Sequence, residues 1–593
     1  MNFSRILLFR PFSKHIIFIS FSHGNKCKTF NEFYLPVFFQ TSDILSLHER
    51  ICPSYVQDDR PEVMISLDGV SESKSTTNSL DVYTSRFAKC RNIYPHRIVK
   101  PLNRFPVENR DQFASFLEDL NQNNCHVTDF IGDNPKRAFV REALNHASYY
   151  ACEYCEAKAV QFKDQVENRL ERTKFEEQIR DIQEKIDMLQ DTPGTSTSTD
   201  RSIEMLLNLK KTIEQDFRKK IKSSHLVWPS STSNANLRTV HDINAIVHEI
   251  DNHETLTIDE SKGFNGHSLL LYYDNFDFIR GISCEYMHCV CLGVIKRLLT
   301  LTFNLGEKRV RVTNRRLSNP SSYNNLMKNV RVPKEFSRRA RNLDISVLKA
   351  QEMRNIALFF FPVVLQCIER TAKERRLWLL LSYVIRACCI PQEEFMNVDE
   401  HTILALSQQF YTLYEQLFSS KNCTYNTHVF SAHILLIRSR GPLTFTSAFP
   451  FEAFYAELRH SFTPGTMSPL KQMFQKVMLR RVLSYHCCET SIYFSSKDTQ
   501  LECNSLIYTH SNGKFTVYKI IEIFYDHLIC YKLGKYPVTF VELPNIDWSC
   551  VGVFSIGGIS EQPTTIQKCH VKGKVIRIMN YYLTCPNNIL REK

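Results

Sequence analysis

Two aspartates each follow an apolar run with the residue pattern of a β-strand. Asp68 comes after the alternating stretch Glu62–Leu67, which predicts a strand that ends at Gly69, and Asp133 comes after the apolar run in HVTDFIGD. An open α/β sheet could place these two carboxylates side by side. Mg²⁺ and Mn²⁺ prefer carboxylate oxygens, and two such ions about 4 Å apart assist phosphoryl transfer. The competing interpretation is that Asp-Gly and Asp-Asn-Pro are ordinary turn sequences.

A third acid lies in an unusually apolar setting. Glu452 falls in the aromatic run FTSAFPFEAFYAELRH, at the start of a helix predicted after Pro450. A carboxylate among phenylalanines is costly unless it is paired or bound to a metal ion. The alternatives are that Glu452 only interacts with the helix dipole, or that Glu457 has the special role instead.

Four cysteine and histidine residues have the types and spacing of a zinc site. SYYACEYC contains Cys152 and Cys155, separated by two residues, and YNTHVFSAH contains His428 and His433 far downstream. Zn²⁺ is bound tetrahedrally by such Cys₂His₂ sets, and this one would join the beginning of a long insertion to its end. The alternative is that two stray thiols, in a chain with 20 cysteines, accompany two core histidines.

The overall composition excludes several classes of protein. The chain has no GxxxxGK[ST] phosphate loop, no G-x-S-x-G elbow and no kinase motif set. Its 593 residues, 43% of them hydrophobic, can build several cores, and 74 basic against 62 acidic residues give a net charge of +12 that suits a polyanionic partner. No apolar run reaches the roughly 18 residues of a membrane span. The thiols, without a convincing secretory signal, predict a cytosolic or nuclear protein.

The elements around the first two acids predict a layered α/β fold. The strand before Asp68 is followed by extended stretches over Ser79–Asn92 and His96–Phe105, by an amphipathic helix through Phe113 and Leu120, and by the strand before Asp133. A second helix is predicted over roughly Lys136–Ala147, behind the Asn-Pro pair. This β-β-β-α-β-α order is typical of helices packed on a sheet.

The middle of the chain is predicted to be helical and the end to be β-rich. A coiled-coil-like seam through Phe175 and Leu189, a linker over residues 191–200 and a helix through Ile203–Ile221 predict a helical hairpin. Most of Cys284–Phe418 has a helical pattern, interrupted by a basic, irregular stretch from Glu307 to Arg341. Beyond residue 489, alternating runs and an Asn-Gly turn predict a small β-barrel or sandwich.

Six segments, taken together and in order, resemble the CACTA-like (En/Spm-type, CMC superfamily) DDE transposases of animal genomes, the transposase domain-containing proteins. They are SLDGVSESKS, GDNPKRAFVREALNHASYYACEYC, EYMHCVCLGVIKRLL, LKAQEMRNIALFFFPVVL, YNTHVFSAH and GPLTFTSAFPFEAFYAELR. They extend over about residues 62–483, roughly two thirds of the chain. The resemblance implies an α/β fold with an RNase H-like catalytic core that is split by a large α-helical insertion, followed here by a small β-rich C-terminal domain.

The resemblance also implies roles for the candidate residues. Asp68, Asp133 and Glu452 fall at the three catalytic carboxylates, which would hold two Mg²⁺ or Mn²⁺ ions. A likeness that extends to the catalytic core of the RAG recombinase places Cys152, Cys155, His428 and His433 at a structural Zn²⁺ site. The family usually has Asp-x-x-His before the CVxLGV run, whereas this chain has Glu285 and His288, which would be auxiliary residues near the active site.

The predicted domain organisation follows from these elements and the resemblance. We expect an atypical or disordered N-terminus over residues 1–60, whose first 30 residues are basic enough to fit a transit peptide superficially. No end-recognising finger or helix-turn-helix is evident before Asp68. The remaining parts are the first half of the core over 61–158, a helical insertion over 159–440, the closing helix of the core over 441–490 and the β-rich accessory domain over 491–593.

Basic clusters predict contact with a nucleic acid backbone. The candidate residues lie in the basic stretch and beside the third acid: Arg315, Arg316, Arg338, Arg339, Arg341, Arg480 and Arg481. Such clusters bind phosphates with little sequence information. A solvated loop or a nuclear-import signal is the alternative.

The resemblance implies a nuclear protein that cleaves and joins double-stranded DNA in cut-and-paste transposition, acting on transposon ends. By resemblance it would work as a homodimer, with no membrane partner. The alternative is a catalytically inactive, domesticated or degenerate relic that acts as a DNA-binding or protein-interaction module. A third possibility is an unrelated zinc-stabilised scaffold with a coiled-coil arm.

Overall fold

The computed structural model of the protein describes residues 37–38, 44, 61–71, 79–87, 93–99, 106–162, 165–190, 202–213, 225–252, 256–282, 284–303, 320–328, 330, 336, 338, 341–364, 371–389, 398–459, 472, 475, 501–511, 514–524, 526–578 and 581–586. The predicted N-terminal part up to residue 60 therefore lies almost entirely outside the described residues. Over the described ranges the chain has mixed α/β content, with a β-rich C-terminal region.

The first unit is a five-stranded mixed sheet with the order β1-β4-β3-β2-β5. Its strands are β1 (Val37–Phe38), β2 (Glu62–Ser71), β3 (Ser79–Phe87), β4 (Tyr94–Val99) and β5 (His126–Ile131). Strands β2, β3 and β4 pair antiparallel, whereas β5 lies parallel to β2. The parallel step requires a crossover, and the helix Pro106–Gln122 supplies it while burying its apolar face, including Phe113, Phe116 and Leu120. The predicted β-β-β-α-β order is confirmed.

Several element boundaries differ from those expected. β3 covers Ser79–Phe87, and β4 begins at Tyr94, two residues before the expected start at His96. Residues 88–92 and 100–105 of the expected strands lie outside the described residues. The helix after Asp133 covers only Asn134–Arg141, not the longer stretch to Ala147. It ends early because Glu142 takes the left-handed conformation, φ 50°, and its N–H caps the Ala138 and Phe139 carbonyls.

The central region is helical, as predicted. Two short strands, β6 (Val160–Phe162) and β7 (His225–Val227), pair across the base of a helical arm. The arm consists of the helix Gln165–Gln190 and helical residues 202–213, and Lys210 Nζ donates to Gln183 Oε1 at 2.7 Å. This contact supports the predicted hairpin, whose linker over 191–200 lies outside the described residues. The other α-helices are Val240–Asn252, Lys296–Phe303, Pro320–Met327, Ala350–Asn355, Phe361–Val364, Ala372–Cys389, Glu400–Phe418, Tyr425–Arg438 and Phe449–Arg459.

Two segments have π-helical hydrogen bonding, Tyr286–Ile295 and Ile356–Phe360. The combined stretch Tyr286–Phe303 is long and apolar enough to cross a membrane by length and composition, and 67% of it is buried inside the protein. It packs as a core helix. The sequence predicts this stretch as part of the helical region Cys284–Phe418. The stretch Glu307–Arg341, which is predicted to be basic and irregular, contains a short helix, Pro320–Met327.

The C-terminal region is a closed six-stranded barrel with the order β10-β11-β13-β12-β8-β9. Its strands are β8 (Leu506–Ser511), β9 (Lys514–Ile523), β10 (His527–Tyr536), β11 (Val553–Gln567), β12 (Val571–Ile578) and β13 (Tyr581–Pro586). Ser511 pairs with Lys514, so the predicted Asn-Gly hairpin is confirmed. The barrel packs against the helix Ala372–Cys389, where the buried Arg386 donates to the Val551 and Thr584 carbonyls at 2.8 and 3.1 Å.

Candidate functional site

The register of β2 and β5 brings the two aspartates to one edge of the sheet. Ser66 pairs with Ile131 in parallel, so Asp68 and Asp133 both lie two residues past this last pair. The expectation that Asp68 ends its strand is wrong. β2 continues to Ser71 because β3 remains paired with it, Asp68 opposite Val82, after the parallel partner has ended.

Asp133 also has a local structural role. Its Oδ1 accepts from the Lys136 N–H at 3.0 Å, so the residue is the N-cap of the helix Asn134–Arg141. The turn interpretation is therefore correct for the backbone at this position. It does not exclude a ligand role, because a carboxylate has two oxygens with about four lone-pair sites.

The helix Phe449–Arg459, here called the closing helix, carries Glu452 to the same edge. One turn after Glu452, the buried Tyr455 hydroxyl lies 3.1 Å from Ser66 Oγ and 2.9 Å from Thr84 Oγ1. These two contacts hold the closing helix against β2 and β3. Glu457 is exposed on the other side of the helix, so the structure brings Glu452, not its rival, to the acids.

The third acid interacts with the first. Burial, the charge of Asp68 and a side-chain hydrogen bond with Asp68 raise the pKa of Glu452 to about 7. Neighbouring carboxyl groups raise the pKa of one another in this way, while the charge of His288 acts in the opposite direction. Divalent cations would favour the ionised form of both groups, which is the condition that the predicted two-ion chemistry needs.

Glu285 and His288 lie beside this acid cluster, as the resemblance implied. The Glu285 side chain is fully buried and accepts from the Met287 N–H at 2.7 Å, from the Ala448 N–H at 2.9 Å, and from the N–H and Nδ1 of His288. It therefore caps the helix Tyr286–Ile295 and at the same time holds the chain that enters the closing helix. The added methylene of glutamate lets one carboxylate reach both elements.

The Glu285–His288 pair approaches the third acid through the imidazole of His288. Its Nε2 lies 3.8 Å from Glu452 Oε1. Burial alone would lower the pKa of His288, but Glu285, Glu452 and Asp133 together raise it to about 9. A protonated imidazole thus faces the acids at neutral pH.

The four cysteine and histidine residues converge at a second, buried site. Their ligand atoms all lie within 4.8 Å of one another, and Cys155 Sγ is 3.4 Å from His428 Nε2. Zinc bond lengths of about 2.3 Å to sulfur and 2.0 Å to nitrogen place tetrahedral ligand atoms about 3.3–3.8 Å apart. Over the described ranges, no other group of three or more Cys, His, Asp or Glu side chains has its ligand atoms this close together, and the three acids are not set as closely as these four residues.

Local geometry explains why two histidines five residues apart can share this site. In a regular helix, such residues point in directions about 140° apart. The helix Tyr425–Arg438 departs from helical geometry at His433, with φ −122° and ψ 19°, and the two imidazole centroids lie 5.1 Å apart. The departure turns His433 toward His428.

The donor set fits a zinc ion. His433 Nε2 is buried and has no hydrogen-bond partner, so the nitrogen needs a ligand such as a cation. His428 Nδ1 lies 3.0 Å from Thr232 Oγ1, which orients the ring as outer contacts of metal-bound histidines do. A hydrogen bond from Cys152 lowers the pKa of the Cys155 thiol, whereas burial raises that of Cys152.

The candidate DNA-binding arginines are described only in part. Arg338 and Arg341 are exposed, and Arg341 forms a bidentate ion pair with Glu352 that uses two of its guanidinium nitrogens. The remaining candidates lie outside the described residues: Arg315, Arg316, Arg339, Arg480 and Arg481.

Sequence reasoning missed the residues that hold these sites in place. Tyr455 lies one helical turn after Glu452. Glu153 and Tyr154 lie between Cys152 and Cys155. Their polar groups inside an apolar context were the available signal. Neither a family model nor a curated protein matches this chain, so its function has to be argued from the geometry of the site.

Proposed function

We propose that the protein is a DDE transposase-like enzyme that cleaves DNA phosphodiesters and transfers the strands in a metal-dependent reaction. The observation that carries this proposal is that Glu452 forms a hydrogen bond with Asp68 beside the parallel strand pair, while Asp133 follows β5 at the same level of the sheet. Two of these acids lie next to a parallel strand pair, and the third arrives from the far side of the helical insertion. This arrangement agrees with the resemblance of the six sequence segments.

The topology of the sheet supports an RNase H-like core. Three antiparallel strands, β4-β3-β2, are followed by β5 parallel to β2, which is the arrangement of an RNase H-like sheet. The helical elements from Gln165 to Arg438 separate the second acid from the third. They form the insertion that splits the core.

In the proposed reaction Asp68, Asp133 and Glu452 would hold two Mg²⁺ or Mn²⁺ ions. Such ions, when bound, activate the attacking water or DNA 3′-hydroxyl and stabilise the leaving 3′-oxygen. His288, protonated and held by Glu285, offers its Nε2–H to the acid cluster or to a phosphate oxygen there. Asp133 keeps its position through the helix cap, and Glu452 keeps its position through Tyr455.

The Cys152, Cys155, His428 and His433 cluster would hold one structural Zn²⁺. It would tie the segment after the second acid to the helix Tyr425–Arg438, which precedes the closing helix. We further propose that the partner is double-stranded DNA, that the protein acts as a homodimer on two DNA ends, and that it works in the nucleus. The net charge of +12 supports a polyanionic partner.

A second candidate function is a catalytically inactive relic that binds DNA or proteins. The observation in its favour is that His288 Nε2 lies 3.8 Å from Glu452 Oε1, so that a protonated imidazole compensates the charge of this acid. The two candidates make different predictions about metal-dependent cleavage.

The deciding experiment is nicking of supercoiled plasmid in Mg²⁺ or Mn²⁺. We expect activity in the wild type and its loss in Asp133→Asn and Glu452→Gln, because each change removes an anionic ligand at nearly constant size. Asparagine remains a good N-cap, so Asp133→Asn should fold. Glu457→Gln, an exposed change on the same helix, is the matched control and should stay active. Zinc-loaded, folded wild type without any nicking would instead favour the relic.

A further inference from the structure

The loop from Cys152 to Cys155 directs its side chains toward two different parts of the protein. Cys152 and Cys155 point into the Cys/His cluster, whereas Glu153 and Tyr154, the residues between them, reach toward the acid cluster. All four side chains are buried, with exposures of 0%, 1%, 4% and 0% for Cys152, Cys155, Glu153 and Tyr154. One four-residue loop therefore supplies two residues of the Cys/His cluster and also contacts Arg137 and the backbone of Cys284.

Glu153 reaches the second acid through Arg137. Arg137, 2% exposed, lies with Nε 3.2 Å from Glu153 Oε1 and donates from Nη1 to the Gly132 carbonyl at 2.9 Å. Gly132 immediately precedes Asp133, so this bond fixes the backbone that presents the carboxylate. The third nitrogen, Nη2, contacts Cys284 Sγ at 3.6 Å.

Tyr154 reaches the auxiliary pair directly. Its hydroxyl accepts from the Cys284 N–H at 2.9 Å, and Cys284 immediately precedes Glu285. On its other side the Tyr154 ring lies 5.2 Å from the ring of His433. A single aromatic side chain thus spans the distance from a candidate zinc ligand to the backbone that leads into the Glu285–His288 motif.

The helix that carries the histidines joins the same network. Tyr425 lies three residues before His428, and its hydroxyl donates to Glu153 Oε2. Arg141 Nη1 lies 3.9 Å from Glu153 Oε1. A buried carboxylate held by two arginines and a hydroxyl is costly to break, because any partner removed leaves an uncompensated charge. The contacts of Glu153 therefore favour one arrangement, and this arrangement depends on the position of the loop that runs from Cys152 to Cys155.

We infer that Glu153 and Tyr154 are positioning residues that couple the Cys/His cluster to the acid cluster. This inference rests on the proposed function. A metal ion bound by Cys152 and Cys155 fixes the loop, and the loop then fixes Asp133 through Arg137 and Glu285 through the Cys284 N–H. Loss of the ion at the cluster would release both contacts together and weaken cation binding at the distant acids.

The test uses Tyr154→Phe in the full chain, loaded with zinc, with Tyr150→Phe as the matched control. Tyr150 lies four residues earlier, and its hydroxyl donates to Asp259 instead. Zinc content is measured by elemental analysis, and Mn²⁺ binding is measured by the loss of the free-ion EPR signal. We expect Tyr154→Phe to keep one zinc per chain and to bind Mn²⁺ about tenfold more weakly, the effect of one buried hydrogen bond. Plasmid nicking should require correspondingly more Mn²⁺, and Tyr150→Phe should match the wild type.

Two outcomes would overturn the inference. If Tyr154→Phe loses thermal stability but binds Mn²⁺ like the wild type, the residue is only structural. If the wild type binds no Mn²⁺, the proposed function fails and this inference fails with it. Should Tyr154→Phe not fold, zinc is withdrawn from the wild type with a zinc-selective chelator. Mn²⁺ affinity that falls and recovers on zinc return supports the coupling, and unchanged affinity refutes it.

Discussion

The Tyr455 hydroxyl lies within hydrogen-bonding distance of both Ser66 and Thr84, at 3.1 and 2.9 Å, and so joins the closing helix to two strands of the sheet. Ser66 is two residues before Asp68, and Tyr455 is three residues after Glu452. A buried hydroxyl contact between residues close to them in the chain therefore holds the first and third acids near each other. This contact supports the approach of the two acids together with the hydrogen bond between Glu452 and Asp68.

Replacement of Tyr455 by phenylalanine tests this contact. The change keeps the ring and leaves the Ser66 and Thr84 hydroxyls without that partner, which should cost about 1–3 kcal/mol in the free energy of unfolding. We also expect a higher Mg²⁺ requirement in plasmid nicking. Tyr414→Phe, which removes a buried hydroxyl bonded to the Asn422 carbonyl, is the control for a purely structural loss. Equal Mg²⁺ requirements in the two variants would contradict the positioning role.

The raised pKa of Glu452 predicts a pH dependence of stability in the absence of added Mg²⁺. The folded-state pKa of about 7 exceeds the ordinary value of 4.5, so the contribution of this group is fully present below pH 4.5 and is lost as the pH rises through 7. Because the side chain is 35% exposed, solvent screening reduces the effect to about 1–2 kcal/mol. Denaturant unfolding of wild type and Glu452→Gln between pH 5 and 8 measures it as a difference. Parallel pH profiles would show that Glu452 is not perturbed.

Removal of a cluster ligand should remove the metal. We expect His433→Ala to reduce the zinc content from one ion per chain to near zero and to lower the melting temperature, since the binding free energy of a structural site is part of the folding free energy. Cys503→Ser is the control, because this exposed cysteine belongs to the barrel region and not to the cluster. Purified wild type without zinc would refute the assignment of all four ligands.

A glycine at the interface of two helices gives a packing test. A Cβ on Gly293 would lie 2.5 Å from Asn426 Nδ2 and 2.9 Å from Asn426 Cβ, on the helix that carries His428. Gly293→Ala should therefore destabilise the fold by about 1–3 kcal/mol through overpacking. Gly266→Ala is the matched control, since a Cβ there meets nothing within 4 Å. Equal unfolding midpoints for the two variants would show that the helices do not pack this closely.

The candidate sites were visible in the sequence because their residue types conflict with their surroundings. Acids after apolar strands, an acid in a phenylalanine-rich helix and a Cys-x-x-Cys pair each require a partner that a core does not normally supply. The structure brings these residues together in two groups. That Asp68, Asp133 and Glu452 are catalytic remains a prediction.

The features that could not be predicted from the sequence depend on pairing between distant segments. Asp68 lies inside β2, not at its end, because β3 continues to pair beyond the point where β5 stops. Likewise, Glu153 shows no special pattern until Arg137 and Tyr425 are brought to it from separate helices. Periodicity reports which face of an element is buried, and it carries no information about the polar partner on the opposite element.

The hydrogen bonds from Arg386 to the barrel region have a consequence for folding during synthesis. This arginine lies in the helical region, and its guanidinium donates to the Leu358 carbonyl there and also to the Val551, Gly552 and Thr584 carbonyls, which are synthesised later. Until those three carbonyls are synthesised, Arg386 keeps only the Leu358 carbonyl of these four acceptors, so the helical core should stay incompletely packed around it. A stop codon before residue 551 should therefore yield a degraded polypeptide, not a shorter stable protein, and pulse-chase lifetimes of truncated chains would measure this.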